Sequence, residues 1–195
     1  MKTLVIISII TSLQNSCSFP HGLNLHRSNL DPTVEKAESI GYYSSGCLKG
    51  ANALKPYGKG FQTTKLVRGR FWGHPSLINA IEQTMATHHH KFKKTYLIGD
   101  LGLSRGGPTR FGHSSHQSGL DVDIFFKNVE KPLNANEREL IRYPKFVTKK
   151  KRLAKTWDKA LDELVVLFAA RIDVDRIFIN PSIKKHFCIN RQRLN

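Results

Sequence analysis

The chain is short of acid, short of cysteine and short of long apolar runs, and each shortage closes off a class of protein. Of 195 residues, 15 are Asp or Glu against 31 Lys or Arg, a formal net charge of +16. Such an excess attracts polyanions: nucleic acid, an anionic membrane or an anionic cell-wall polymer. The plainer reading is a solvated basic surface. The three cysteines include no CxxC pair, which excludes a cysteine-based zinc cluster. Past the N-terminus no segment is apolar for long enough to cross a bilayer, so no stable membrane insertion is expected. No repeat or low-complexity tract is present, and the length suits one domain with its own core.

The N-terminus has the pattern of an export leader. Lys2 precedes the apolar stretch Leu4 to Ile10, and Ser16 and Ser18 offer small residues before a cut at Phe19. Cys17 suggests lipidation instead, but Gln14 and Asn15 fit that processing site badly. The expected organisation is a leader over 1–18, a lead-in over 19–37 and a domain over 38–195, in a periplasmic protein. Cys47 and Cys188 would then sit in an oxidising compartment, free to pair or to remain single.

Periodicity divides the domain into mixed elements. His74-Pro75-Ser76 opens a helix with Leu77, Ile78, Ile81 and Met85 on its buried face, ending in the basic run His88 to Lys91. Thr95 to Ile98 reads as a strand stopped by Gly99-Asp100, with Asp100 fixing the turn, and residues 102–112 as a glycine-rich loop. Asp121 to Phe126 is a second strand, with Val122, Ile124 and Phe126 on one face and Asp121, Asp123 and Phe125 on the other. Asn134 caps a short helix carrying Leu140 and Ile141, and Trp157 to Phe168 forms an amphipathic helix. A strand over 176–179 precedes a helix begun by Asn180-Pro181. Helices and strands do not alternate strictly, so the expected fold class is α+β, a small mostly antiparallel sheet with flanking helices. Lys149 to Arg152 reads as a solvated basic loop. No helix-turn-helix or RNP-like pattern supports nucleic-acid binding.

The segment richest in chemistry runs from Phe111 to Asp123. A glycine-bearing loop delivers His113 and His116 ahead of a strand that carries Asp123. Neutral imidazole and carboxylate are ordinary zinc ligands, and a catalytic zinc takes three protein ligands and keeps one position open. Polar loop histidines and an exposed strand aspartate are the bland alternative. His74 reads as a helix-entry residue, and Trp72 and Trp157 as core or groove-wall aromatics.

Residues 113–124, HSSHQSGLDVDI, closely resemble the signature of the penicillin-insensitive murein endopeptidases. Further blocks follow in the same order: Ser39-Ile40-Gly41 with Gly46-Cys47-Leu48, Gly73-His74-Pro75, Leu97 to Gly102 with Gly106-Gly107, and Arg176 to Pro181 with Ile183-Lys184 and Cys188. The resemblance covers about residues 38–190. It implies a zinc metallopeptidase fold of the D-Ala-D-Ala carboxypeptidase and lysostaphin type. The implied activity is hydrolysis of the D-alanyl–meso-diaminopimelyl cross-link in peptidoglycan. His116 and Asp123 would be zinc ligands, His113 a ligand or catalytic residue beside them, and peptidoglycan the anionic partner.

The chain departs from the family in a few places. A further His-x-His that supplies a third ligand has no counterpart outside His88-His89-His90. Two metal-associated positions, an Asp and a His in the family, align with Thr148 and Lys151. The family's disulfide partners for Cys47 and Cys188 fall past Asn195. Truncation of the domain at its C-terminus is therefore expected, with weak zinc binding and low activity. The alternative is an inactive homologue that at most binds peptidoglycan. His186 is a further nitrogen for a compact ligand set.

Overall fold

The computed structural model describes residues 5–8, 31–109, 112 and 114–191. In chain order the strands and helices are β1 (Val5–Ser8), β2 (Glu38–Tyr42), β3 (Ser45–Lys49), β4 (Asn52–Ala53), β5 (Tyr57–Gly58), β6 (Phe61–Thr63), β7 (Trp72–Gly73), α1 (Pro75–Phe92), β8 (Tyr96–Ile98), β9 (Asp121–Asn128), α2 (Ala135–Glu139), α3 (Lys159–Ala169), β10 (Arg176–Phe178) and α4 (Pro181–Arg191). Six of these strands make one sheet in the order β10-β1-β9-β8-β6-β5. Its pairs are antiparallel except β6 with β8. Two small ribbons, β2-β3 and β4-β7, stand beside it. The class is α+β.

The helices follow their signals, with shifted ends. His74 caps α1: its ring accepts from the Ser76 amide, Pro75 takes the first turn, and Lys93 closes the far end in the left-handed region. The Trp157–Phe168 periodicity is real, but the helix begins at Lys159 because Asp158 caps it through the Leu161 amide. Trp157 therefore lies before the helix, in the core. A reciprocal capping box between Asn134 and Glu137 starts α2, which stops at Glu139. Leu140 and Ile141 thus fall outside it. Leu140 is 81% exposed, while Ile141 packs on a small second core.

The sheet has an apolar layer on each side. Val122, Ile124 and Phe126 of β9 join Tyr96 and Ile98 of β8 under α1 and α3, in a core with Ile81, Met85, Leu164 and Phe168. Each such side chain contributes roughly 1.5–3 kcal/mol on burial. Leu97 and Phe125 turn the other way and meet Val129, Leu133 and Tyr143. Strand alternation thus gives β9 two faces, as the sequence pattern requires.

β1 falls inside the stretch read as a leader. It pairs with β9 on one side and β10 on the other. The remaining leader positions and the lead-in to residue 30 lie outside the described residues. Cys47 is disulfide-bonded, while Cys188 is free and exposed, so the two do not pair with each other. Among the described residues no helix is long and apolar enough to cross a membrane.

Candidate functional site

The site is assembled by hydrogen bonds that tie two loops to β9 and to the β2-β3 hairpin. The turn after β8 is fastened to β9: the Gly99 amide donates to the Asp123 carbonyl at 2.8 Å, and the Asp123 amide to the Asp100 carbonyl at 3.0 Å. Asp100 is held by Arg68 at 2.8 Å and Arg70 at 3.1 Å, so its role is to pin this turn. The loop before β9 rests on the β2-β3 hairpin. Gln117 donates from its side chain to the Ser44 and Ser114 carbonyls and from its backbone to the Tyr43 carbonyl. Gly119 sits at φ +69°, and its carbonyl receives the His74 amide. A Cβ there would stand 2.4 Å from Leu48 Cδ2, so glycine is required.

This frame delivers His116 onto two carboxylates. His116 Nδ1 lies 2.8 Å from Asp121 Oδ2, and its Nε2 lies 3.4 Å from Asp123 Oδ1. The His116 amide also donates to Asp121 Oδ2, at 3.1 Å. The three residues are 1%, 0% and 1% exposed for His116, Asp121 and Asp123. His116 adopts φ +70°, a left-handed conformation that is sparse for residues other than glycine and costs on the order of 1–3 kcal/mol. Burial by itself would lower the imidazole pKa. The hydrogen bonds and charges of Asp121 and Asp123 outweigh it and push the value up to about 10.

The donor set can be tested against zinc. Two donors held at about 2.0–2.1 Å by one tetrahedral zinc stand about 3.3–3.4 Å apart, and His116 Nε2 and Asp123 Oδ1 stand 3.4 Å apart. Asp121 on the other ring nitrogen is the carboxylate partner that ligating histidines ordinarily carry. These two residues fit. Among the described residues no group of three or more His, Cys, Asp or Glu is placed to hold an ion unaided.

The other sequence candidates divide. His113 lies outside the described residues. His186 does not join the site as a further nitrogen: its Nε2 lies 2.8 Å from Asp162 Oδ1, which also accepts from Trp157 Nε1 at 2.7 Å. Thr148 and Lys151 belong to an exposed turn in which Thr148 bonds the Arg152 carbonyl. His74 is a helix cap, and burial lowers its pKa more than the Ala37 backbone contact raises it. Asp121 and Gln117 are site residues the motif reading passed over. The signal for Asp121 was its position two residues before Asp123, on the same strand face.

The family description "penicillin-insensitive murein endopeptidase" matches residues 39–194. The chain belongs to that family. It is 35% identical over 161 residues to a penicillin-insensitive murein endopeptidase of Klebsiella pneumoniae, covering 82% of this chain and 59% of that protein. A relative of the same name from Yersinia pestis is 34% identical over 165 residues, covering 82% and 58%. One from Haemophilus influenzae is 33% identical over 193 residues, covering 96% and 66%. The chain thus spans about three-fifths of the length of the first two murein endopeptidases.

Proposed function

We propose that this protein is an exported zinc endopeptidase of the bacterial cell wall, cleaving the D-alanyl–meso-diaminopimelyl cross-link of peptidoglycan in the periplasm. One observation carries the reading beyond family membership: a buried histidine and a buried carboxylate stand at the separation two zinc ligands have, with a second carboxylate behind the ring. His116 and Asp123 would hold the ion. Zinc, when bound, polarises a scissile carbonyl and lowers the pKa of a water. Asp121 fixes the imidazole by accepting at Nδ1, which leaves Nε2 aimed at the Asp123 side. The left-handed backbone at His116 and the glycine at 119 keep that aim without help from substrate. His113 would complete the ligand set or act as the proton carrier. The excess of positive charge draws the enzyme to an anionic polymer.

A second reading is a homologue that binds peptidoglycan without hydrolysing it. It is favoured by the donor count, since His116 and Asp123 are the fitting donors among the described residues. One measurement separates the two: zinc stoichiometry and affinity of the purified chain, with His116→Ala as control, alongside digestion of cross-linked muropeptides. One zinc lost in the variant, with cleavage, supports the enzyme. Absence of zinc and of cleavage supports the binding homologue.

A further inference from the structure

A cavity of about 500 Å³ opens at the far end of β9, lined among others by Lys94, Tyr96, Lys127, Arg142, Tyr143 and Asp158. Its cause is local. The β8–β9 register jumps between Tyr96, opposite Asn128, and Leu97, opposite Phe125. Phe126 and Lys127 therefore fall outside the ladder, and the three successive residues Phe126, Lys127 and Asn128 all line the cavity. A regular strand would turn alternate residues away; a bulge re-aims them.

The lining has a definite chemistry. Lys94 is neutralised by Asp158 at 2.5 Å. Among the described residues Lys127 and Arg142 have no such counter-charge in the lining, and the Lys127 ammonium donates to the backbone carbonyl of Arg142 at 3.2 Å, which makes the two residues neighbours on the cavity wall. Phe126 and Phe146 supply an apolar wall. The Tyr96 hydroxyl, buried there, makes no hydrogen bond among the described residues. The cavity is joined through one wall residue to the strand face that carries Asp123. The Tyr143 ring lines the cavity and stacks on Phe125 at 4.0 Å and 19°. Phe125 is two residues from Asp123 on the same strand face. Lys127 lies on the order of 13 Å along the strand from Asp123.

We propose that this cavity is a subsite for a carboxylate-bearing peptide, the carboxylate held between Lys127 and Arg142 and the peptide body laid against Tyr143 and Phe146. Identifying that peptide as the acidic stem of the wall polymer rests on the reading given above; the carboxylate specificity does not. The volume lies within the range of small-ligand sites. The subsite anchors one end of an extended substrate whose other end reaches His116 and Asp123.

The test is titration of the full chain with a monomeric disaccharide-tetrapeptide muropeptide and with the same probe after its carboxylates are converted to amides. Binding is read as heat in the wild type. It is also read as Trp157 emission in Trp72→Phe, since Trp157 packs on Phe126 at 5.3 Å and on Phe146 at 5.6 Å. The acid probe should bind saturably and lose about tenfold or more in Lys127→Glu/Arg142→Glu, and equally on amidation, as expected for lost charge-assisted bonds. Lys127→Gln/Arg142→Gln, a milder pair checked by circular dichroism, should show the same direction. No saturable binding to the wild type, an affinity unchanged in both variant pairs, or equal binding of the amidated probe would each overturn the subsite. Binding that persists in His116→Ala while the wild type takes up no zinc would keep the subsite and remove the peptidase. Cleavage unaffected in the Glu pair would do the reverse.

Discussion

The two faces of β9 are buried to the same depth and built for opposite ends. Val122, Ile124 and Phe126 enter an apolar core, while Asp121 and Asp123, one residue out of phase, enclose an imidazole. The first face gains free energy from every side chain it hides. The second starts from a cost: burying an ion carries a penalty of several kcal/mol, which hydrogen bonds and opposite charge have to offset. The strand therefore takes its stability from one face and can spend it on the other. A stable scaffold carrying a locally unfavourable site is the arrangement expected where function needs buried charge.

The comparison breaks most visibly on the apolar side. Ile124→Ala should destabilise the fold by about 2–5 kcal/mol in urea unfolding, while the zinc affinity of the folded protein stays that of the wild type. A parallel loss of zinc affinity would mean the faces are coupled. Gly119→Ala should cost about 1–3 kcal/mol, because a Cβ at positive φ meets Leu48. That loss should reach the site as well, since Gly119 shapes the loop bearing His116. On the polar side, Asp121→Asn should weaken zinc binding by about 10–100-fold, with less damage to the metal-free fold than Ile124→Ala causes. Equilibrium zinc titration checks the first, and urea midpoints the second.

The apolar face was legible in the sequence because period-two alternation is a local signal, and so were the helix starts, where Pro75, Asn134 and Asn180 act within their own turn. What the sequence left obscure depends on contacts distant along the chain. Gln117 is a site residue because the hairpin at 38–49 lies against it, some 70 positions away. Asp121 looked like one of two equal aspartates until the ring between them showed that each takes a different nitrogen. The apolarity of Leu140 predicts a place in the helix, yet it is exposed, because the capping box sets where α2 starts and not how far it runs. A strand over Val5–Ser8 within the expected leader was invisible to periodicity, since an apolar run of that length reads the same for export or for pairing.

Two buried histidines sharpen the contrast at its weakest end. His116 has two carboxylates in contact; His88, equally inaccessible on α1, has none among the described residues. It gives Nε2 to the Ala160 carbonyl at 2.8 Å and lies between Phe92 and Tyr96. Burial lowers its pKa, and the Ala160 carbonyl and the distant charges of Glu163 and Asp158 offset this in part, with Lys94 opposing them. The folded state thus keeps the ring neutral, while the unfolded chain takes up a proton near the ordinary histidine pKa of about 6.5. The unfolded state binds more protons below that value, so stability falls as pH falls through it. His88→Phe removes the proton uptake and keeps a flat ring against Phe92. Its urea midpoint should decline less than that of the wild type between about pH 7.5 and about pH 5.5, even though the variant starts lower for want of the bond to Ala160. Parallel declines would show that His88 protonates inside the fold, and that burial without a carboxylate does not suffice to keep an imidazole neutral here.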